Sequence, residues 1–282
     1  MLRSAPLKGR QRMISRVLGL LFVAALALAG TAEAQTKGKT ELLWYGQSAF
    51  KITTPGGKVI MVDPWITGGT KVPPELKDLS KIGKIDAILV THGHGDHLGD
   101  GIELAKTHNA PLWGPAGMNQ FLVTLGKLPA NLAPRMNVGG TAEVAPGVKV
   151  TQTHAEHSSE MILKDENGKS VSYPAGEPVG FIITLENGFK IYHMGDTGIF
   201  GDMKWIGEYY KPDLILIPIG GHYVMDPKDA AYATNLIKPK MAWPIHYASN
   251  PYLKGTPAEY KAALGSSPVQ VIDAVPGTVK TF

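Results

Sequence analysis

Thr91-His92-Gly93-His94-Gly95-Asp96-His97 gathers three imidazoles and one carboxylate into six residues. Just upstream, Ala87-Ile88-Leu89-Val90 is an uninterrupted apolar run behind Asp86, the pattern of a buried β-strand. On an extended backbone alternate side chains share a face, so His92, His94 and Asp96 are expected to converge on one point while His97 turns toward a second. Gly93 and Gly95 let the chain turn tightly where the strand ends. Imidazole and carboxylate suit zinc, iron or manganese, and no thiol competes because the chain has no cysteine. So dense a set of donors against a buried strand is unlike a solvated loop. It predicts a site for one or two metal ions at the carboxyl end of a strand.

The other histidines repeat that context. None precedes residue 91, and the nine are residues 92, 94, 97, 108, 154, 157, 193, 222 and 246. His157 follows an apolar strand at Gly147–Thr151, within Thr153-His154-Ala155-Glu156-His157-Ser158-Ser159. Asp196 follows a strand at Phe189–Met194, and His246 ends one that begins at Met241. All three donors stand where a strand gives way to a loop, as the first group does. On position alone His154 competes with His157.

The order His92-x-His94-x-Asp96-His97, His157, Gly195-Asp196-Thr197 and His246 resembles the metallo-β-lactamase superfamily. Asp63-Pro64-Trp65, Ala155-x-His157-Ser158-Ser159, His193-x-Gly195-Asp196-Thr197-Gly198, Pro218-Ile219-Gly220-Gly221 and Pro244-Ile245-His246-Tyr247 narrow it. They are similar to the metal-dependent hydrolases related to ascorbate-phosphate lactonase, over nearly all of residues 40–282. The resemblance implies an αββα sandwich with two metal ions at one edge between the sheets. It implies that His92, His94 and His157 hold the first ion, that Asp96, His97 and His246 hold the second, and that Asp196 bridges them. It also favours His157 over His154. A bridging carboxylate would offset repulsion between two cations about 3.5–4 Å apart. One departure stands out: Gly46-Gln47-Ser48 replaces the family's Gly-His-Ser, and glutamine takes up no proton.

Of the remaining histidines, His193 is expected to pack beside the site or hydrogen-bond a ligand, and His108 to lie at the surface. His222, after Gly220-Gly221, is the candidate for substrate contact or proton delivery. Asp63 is read as an acceptor that orients a histidine, and Ser158 and Ser159 as fixing the loop that presents His157.

Residues 1–34 read as a secretory signal peptide. Arg3, Lys8, Arg10, Arg12 and Arg16 precede an apolar stretch from Val17 to Gly30, and Ala32-Glu33-Ala34 offers a small-x-small cleavage pattern. The apolar stretch is short for a membrane span, so no stable anchor is expected after cleavage. The expected location is periplasmic or secreted. Taking the leader's five bases and one acid from the chain's 28 and 24 leaves 23 of each, a net charge of zero. Such a balance gives no phosphate-neutralising surface, so nucleic acid is not an expected partner. The remaining 248 of 282 residues fit one domain, residues 35–282, with a substantial core. Without cysteine, its stability outside the cytoplasm must come from packing and metal.

Further strands are expected at Glu41–Tyr45, Ala49–Thr53, Lys58–Asp63, Asp86–Thr91, Val179–Leu185 and Asp213–Ile219. Hairpin turns are expected at residues 55–57 and 186–188. Helices are expected at Gly101–Thr107, Ala116–Leu125, Phe200–Tyr210, Pro227–Ile237 and Pro257–Leu264, the last capped by Thr256. Gln35–Lys39 reads as disordered, and Lys71–Pro74 and Tyr173–Pro178 as exposed loops. Strand pairs mixed with helices make the fold class α/β (α+β), two packed sheets covered by helices.

The expected function is that of an exported hydrolase acting on a small molecule. Two divalent metal ions, zinc first with manganese or iron admitted, would ionise a shared water to attack an ester-type bond. Asp96 is the candidate proton relay. A lactone is the first substrate, by resemblance; a phosphodiester or N-acyl-phospholipid-type substrate is the alternative, and a β-lactam stands behind both. The competing class is a metal-binding protein without turnover.

Overall fold

Several strands are apolar at every position, and the pleat explains how all of their side chains are buried. In the run from Ala87, the side chains of Ala87 and Leu89 enter one hydrophobic core while Ile88 and Val90 enter another. The same division sends Leu214 and Leu216 one way and Ile215 and Ile217 the other. Both faces of each sheet are therefore covered, which is why alternation is hidden in the sequence.

The computed structural model describes residues 38–282. The leader read over 1–34, and residues 35–37 of the segment expected to be disordered, lie outside the described residues. Gly38 and Lys39 are exposed, while Thr40 is buried and exchanges backbone hydrogen bonds with Phe282.

In the first sheet β1 (Glu41–Gly46), β2 (Ala49–Thr53) and β3 (Val59–Val62) form an antiparallel meander. The turn at 55–57 joins the last two, with Thr53 opposite Val59. β4 (Ala87–Leu89), β5 (Leu112–Pro115) and β6 (Arg135–Met136) then add in parallel. α1 (Gly95–Leu98) and α2 (Gly101–His108) follow β4, and α3 (Ala116–Thr124) follows β5.

The second sheet repeats this plan. β7 (Thr141–Ala145), β8 (Val148–His154), β11 (Val179–Thr184) and β12 (Lys190–His193) are antiparallel neighbours. β13 (Leu214–Pro218), β14 (Met241–Ile245) and β15 (Gln270–Val271) continue in parallel. α4 (Met203–Tyr210), α5 (Pro227–Ile237) and α6 (Pro257–Leu264) lie between the parallel strands. The capping box of Thr256 and Glu259 opens α6. β16 (Val279–Thr281) returns to pair antiparallel with β1. Each sheet thus has seven strands.

Leu42, Phe50, Ile52, Val62, Phe181, Ile183 and Trp243 fill the core between the sheets. Met61, Ile88, Leu104 and Leu122 belong to the core under α2 and α3, and Ile206, Ala233, Ile237 and Tyr260 to that under α4, α5 and α6. Those four layers are the expected sandwich.

Two loop expectations need correction. Tyr173 and Pro174 close β10 (Ser170–Pro174), which pairs antiparallel with β9 (Glu160–Lys164) as a separate hairpin. Met161 and Ala175 at its base are fully buried in the core under α2 and α3, which holds the hairpin down. In Lys71–Pro74, Lys71 is exposed but Val72 is buried in that same core. The helix expected from Phe200 starts at Met203.

Candidate metal centre

The strand before the histidine motif ends at Leu89, and the backbone is extended at His94 before α1 begins at Gly95. That helical turn separates Asp96 from His92 and His94, contrary to the extended-backbone expectation. His92, His94 and His157 bring donor atoms within 4.8 Å of one another. Asp96 instead groups with His97 and His246 at the same spacing. A further group, His92, His97 and Asp196, lies between them. The seven side chains singled out in the sequence thus meet, Asp96 and His97 from α1 and the others from the segments that follow β4, β8, β12 and β14.

Asp196 reaches both sides. Its Oδ1 lies 3.2 Å from His97 Nε2, and its Oδ2 lies 2.9 Å from His246 Nε2 and 3.6 Å from His157 Nε2. Gly195 presents it at a φ of 61°, with its backbone N–H donating to His193 Nδ1 at 3.2 Å. His193 Nε2 donates to Ser48 O at 2.8 Å, which assigns a neutral imidazole in line with burial lowering its pKa. His193 thus packs beside the cluster and fixes the turn that carries Asp196.

Partners on the far side of each ring orient it. Asp63 Oδ2 lies 2.8 Å from His97 Nδ1 and accepts Thr91 Oγ1–H at 2.8 Å, while Asp63 Oδ1 accepts Thr91 N–H at 2.8 Å. Asp63 and His97 are both fully buried. Thr91 Oγ1 also lies 3.0 Å from His92 Nδ1. His94 Nε2 meets Glu160 Oε2 at 3.1 Å, leaving its Nδ1 3.0 Å from His92 Nε2. Ser159 Oγ accepts Gly93 N–H at 3.2 Å and donates to Ala175 O at 3.3 Å, so it ties the histidine loop to the hairpin. Such partners set which ring nitrogen is free to bind a cation.

Gln47 stands inside this network. Its Nε2 donates to Asp96 Oδ2 at 2.9 Å and lies 2.7 Å from His246 Nε2. Gln47, Asp63 and His246 all have positive φ, at 49°, 44° and 54°. Three non-glycine residues in the left-handed region around one site mark stored backbone strain. The sheets pin them: His246 N–H and Trp44 Nε1–H both donate to Gln47 O, at 3.2 and 3.1 Å.

Burial sets the ionisation of the cluster and opposing charge reverses it at two rings. Burial pushes His92 well below the usual imidazole range, and the charge on His97 pushes the same way. His157 is lowered for the same reason. Burial is the largest single influence on His97 and His246 and would lower them too, but the carboxylates around each, Asp196 first, together outweigh it. His97, which also faces Asp63, lies well above 6.5, and His246 lies at about 9. Burial would raise Asp196, yet His246 and His97 hold it well below the carboxylate range; Asp96 is lowered in the same way, first by His97.

His97 Nε2 and Asp196 Oδ1 are buried, face each other and make no hydrogen bond. With His97 Nδ1 committed to Asp63, its other nitrogen faces a carboxylate, an approach that only a proton or a cation between them makes favourable. The donor set therefore fits divalent metal ions: oxygen and nitrogen only, buried, with oriented rings.

A cavity of about 340 Å³ opens beside the cluster, lined by His94, Asp96, His157 and His246 and closed by Ser158, Tyr223 and Asn250. His222 is exposed, has a φ of 60°, and stacks on Tyr252 with ring centroids 5.0 Å apart. Tyr223, not His222, forms the cavity wall. His154 turns toward Glu156 and Phe200, at 3.1 Å and 5.1 Å, and His108 lies in the last turn of α2; neither is in a donor group. Sequence reasoning gave no role to Thr91, Glu160, Tyr223 or Asn250. Thr91 and Tyr223 adjoin the quoted histidines, whereas Glu160 and Asn250 carry no spacing signal.

Comparison with known proteins gives a consistent result. Residues 58–247 match the family model described as a beta-lactamase superfamily domain. A metal-dependent hydrolase of Polaromonas sp. (strain JS666) is 55% identical over 273 residues, covering 96% of this chain and 100% of the relative. One from Cupriavidus necator is 58% identical over 237 residues, covering 82% and 81%. Among solved structures, Igni18, a metallo hydrolase from the archaeon Ignicoccus hospitalis, has a TM-score of 0.75 at 34% identity, covering 86% of this chain and 98% of its own. Zinc-bound PqqB from Methylobacterium extorquens shares the fold at a TM-score of 0.55 and 19% identity, covering 92% of each chain.

Proposed function

Because this chain belongs to the beta-lactamase superfamily, among metal-dependent hydrolases of the metallo-β-lactamase fold, we propose that it is an exported enzyme that hydrolyses an ester-type bond with two divalent metal ions. The observation that carries the two-ion reading is Asp196, whose oxygens approach His97 on one side and His246 and His157 on the other. His92, His94 and His157 would hold one ion, and Asp96, His97 and His246 the other, with Asp196 shared. Zinc is the first choice, and the same donors accept manganese or iron. What bound ions supply is Lewis acidity toward a substrate oxygen and a water acidified to a pKa of about 7.

The chain's own residues do the rest. Gln47 holds Asp96 Oδ2, leaving Oδ1 to take up a proton at the cavity wall. Tyr223, Ser158 and Asn250 bound the space for a small molecule, and His222 packs against Tyr223 with ring centroids 4.4 Å apart. No serine or cysteine nucleophile is needed, and none is assigned.

A lactone is the preferred substrate, on the resemblance to lactonase relatives. A phosphodiester or N-acyl phospholipid is second. A β-lactam is third, because true β-lactamases of this fold place cysteine or serine where Asp196 stands. Export rests on the signal-peptide pattern of residues 1–34, ending at Ala32-Glu33-Ala34.

The test is metal analysis together with a panel of lactones, phosphodiesters and p-nitrophenyl esters on the metal-loaded protein. Two ions per chain and chelator-sensitive turnover are expected. One tightly held ion with no hydrolysis would make the protein a metal-binding module instead. Asp196→Ala should abolish turnover and weaken the second ion; wild-type rates in that variant would overturn the assignment.

A further inference from the structure

Gln47 is not one of the seven donors, yet its side chain ends among them. The outer atom of its carboxamide lies 2.9 Å from Asp96 Oδ2 and 2.7 Å from His246 Nε2, and both residues belong to the second donor group. Two ligands at right angles on one ion, each about 2.1 Å from it, stand about 3 Å apart. The amide is therefore spaced from Asp96 and His246 as a third ligand of the same ion would be.

Hydrogen bonding within the protein leaves that amide in conflict. His246 Nε2 lies 2.9 Å from Asp196 Oδ2, an approach that needs a proton or a cation between them. With a proton there, the Gln47 amino group satisfies Asp96 Oδ2 but meets the N–H of His246 donor to donor. Turned over, the amide would suit His246 and set its oxygen against the Asp96 carboxylate. A cation resolves both contacts at once, and Oε1, which is buried without a partner, is the atom it would engage. The backbone holds the amide in place. Gln47 stands in the turn from β1 to β2 at a φ of 49°, and its carbonyl accepts from Trp44 Nε1–H and from His246 N–H. His246 thus grips the backbone of the same residue whose amide approaches its ring.

We propose, on the two-ion reading of the centre, that Gln47 is a further ligand of the second ion, binding through Oε1 with the amide turned over. Asp96 Oδ2 is then held by the ion in place of the amide, and Oδ1 stays free for its proton. The first ion keeps four donors, His92, His94, His157 and Asp196, three of them nitrogens. The second has Asp96, His97, His246, Asp196 and Gln47, and three of these five are oxygens. Four donors rich in nitrogen suit zinc, whereas a larger, oxygen-rich set suits a harder ion such as manganese. Gln47 makes the two halves of the centre unequal, with the preference for zinc weaker at the second.

The experiment strips the wild type, Gln47→Leu and Gln47→His with chelator, reloads each with zinc, manganese or cobalt, and measures affinities by competition with a chromophoric chelator. The wild type should take up two ions. Gln47→Leu should hold the first as the wild type does and the second roughly tenfold or more weakly. With cobalt, the same variant should absorb visible light more strongly at the second ion, because four-coordinate cobalt absorbs more than five-coordinate. A Gln47 that only steadied Asp96 would leave that absorption as it is. Should the leucine variant not fold, Gln47→His exchanges an oxygen donor for a nitrogen and should raise the zinc-to-manganese affinity ratio of the second ion roughly tenfold. An unchanged second affinity or cobalt absorption in Gln47→Leu, or an unchanged ratio in Gln47→His, would overturn the proposal and leave the two-ion reading standing. A wild type that takes up a single ion would overturn both.

Discussion

His97 shows how much of the centre is decided one side chain at a time. Its Nδ1 is committed to Asp63, so only Nε2 faces Asp196 and the second donor group. Asp63→Asn keeps the shape but offers a weaker acceptor to the ring. It is expected to lower metal affinity by roughly 10–100-fold, read by competition with a chromophoric chelator. An unchanged affinity would show that Asp63 serves only the turn.

The two shifted rings also give the metal-free protein a pH dependence of definite sign. His97 and His246 bind a proton more tightly folded than unfolded, so their stabilisation is complete below pH 6.5 and is lost as pH rises through about 9 for His246. His92 and His157 behave oppositely: they stay neutral when folded, so stability falls as pH drops below 6.5. Thermal melts of chelated protein should therefore pass through a maximum near neutrality. Metal displaces the proton from His97 and His246, so loading should flatten the alkaline limb; parallel curves would sink this account. The candidate donors that the structure gathers were legible in sequence because each follows an apolar strand. Gln47 was legible only as a departure from the family pattern, since its contacts join residues 199 and 49 positions apart.

Elements explain which expectations failed. The grouping of His92, His94 and Asp96 assumed that the strand continues, and one helical turn at Gly95–Leu98 sends Asp96 to the other donor group. Four residues are too few to show helical periodicity. β9 and β10 were missed because most of their side chains face solvent: Met161 is buried in a core, and Leu163 and Tyr173 are only partly buried against it. The long apolar strands and the capped helices were readable because burial and capping leave local signatures. The hairpin nevertheless bears on the site: a Cβ at Gly93 would overlap Ala175 Cβ and come within 3.0 Å of Glu160 C. Gly93→Ala should push the histidine loop off the hairpin. The expected result is a loss of ~1–3 kcal/mol in stability, with at least tenfold weaker metal binding, measured by denaturant unfolding and chelator competition. Retention of both would mean that the loop adapts.

At the scale of the molecule, the inter-sheet core holds the centre in place. Trp243 meets Phe50 and Trp44 with ring centroids 5.3 and 6.1 Å apart, and Trp44 in turn holds Gln47 O. Bound metal adds to this packing by mass action, by about 4 kcal/mol when free metal stands at a thousand times its Kd. For a chain of this size each kcal/mol moves Tm by about 2–4 °C. Chelation is therefore expected to lower Tm by roughly 10 °C, followed by calorimetry with and without chelator. A Tm indifferent to chelation would place the donors outside the folding energetics.

The seven donors are divided between the sheets: His92, His94, Asp96 and His97 follow β4, and His157, Asp196 and His246 follow strands of the second sheet. A cation held there would act as a clasp across the seam, so its release would require the two halves to breathe apart. The exchange rate of the metal then becomes a gauge of that breathing, and a substitution that tightens the seam would make the ions kinetically inert without changing how strongly they are held.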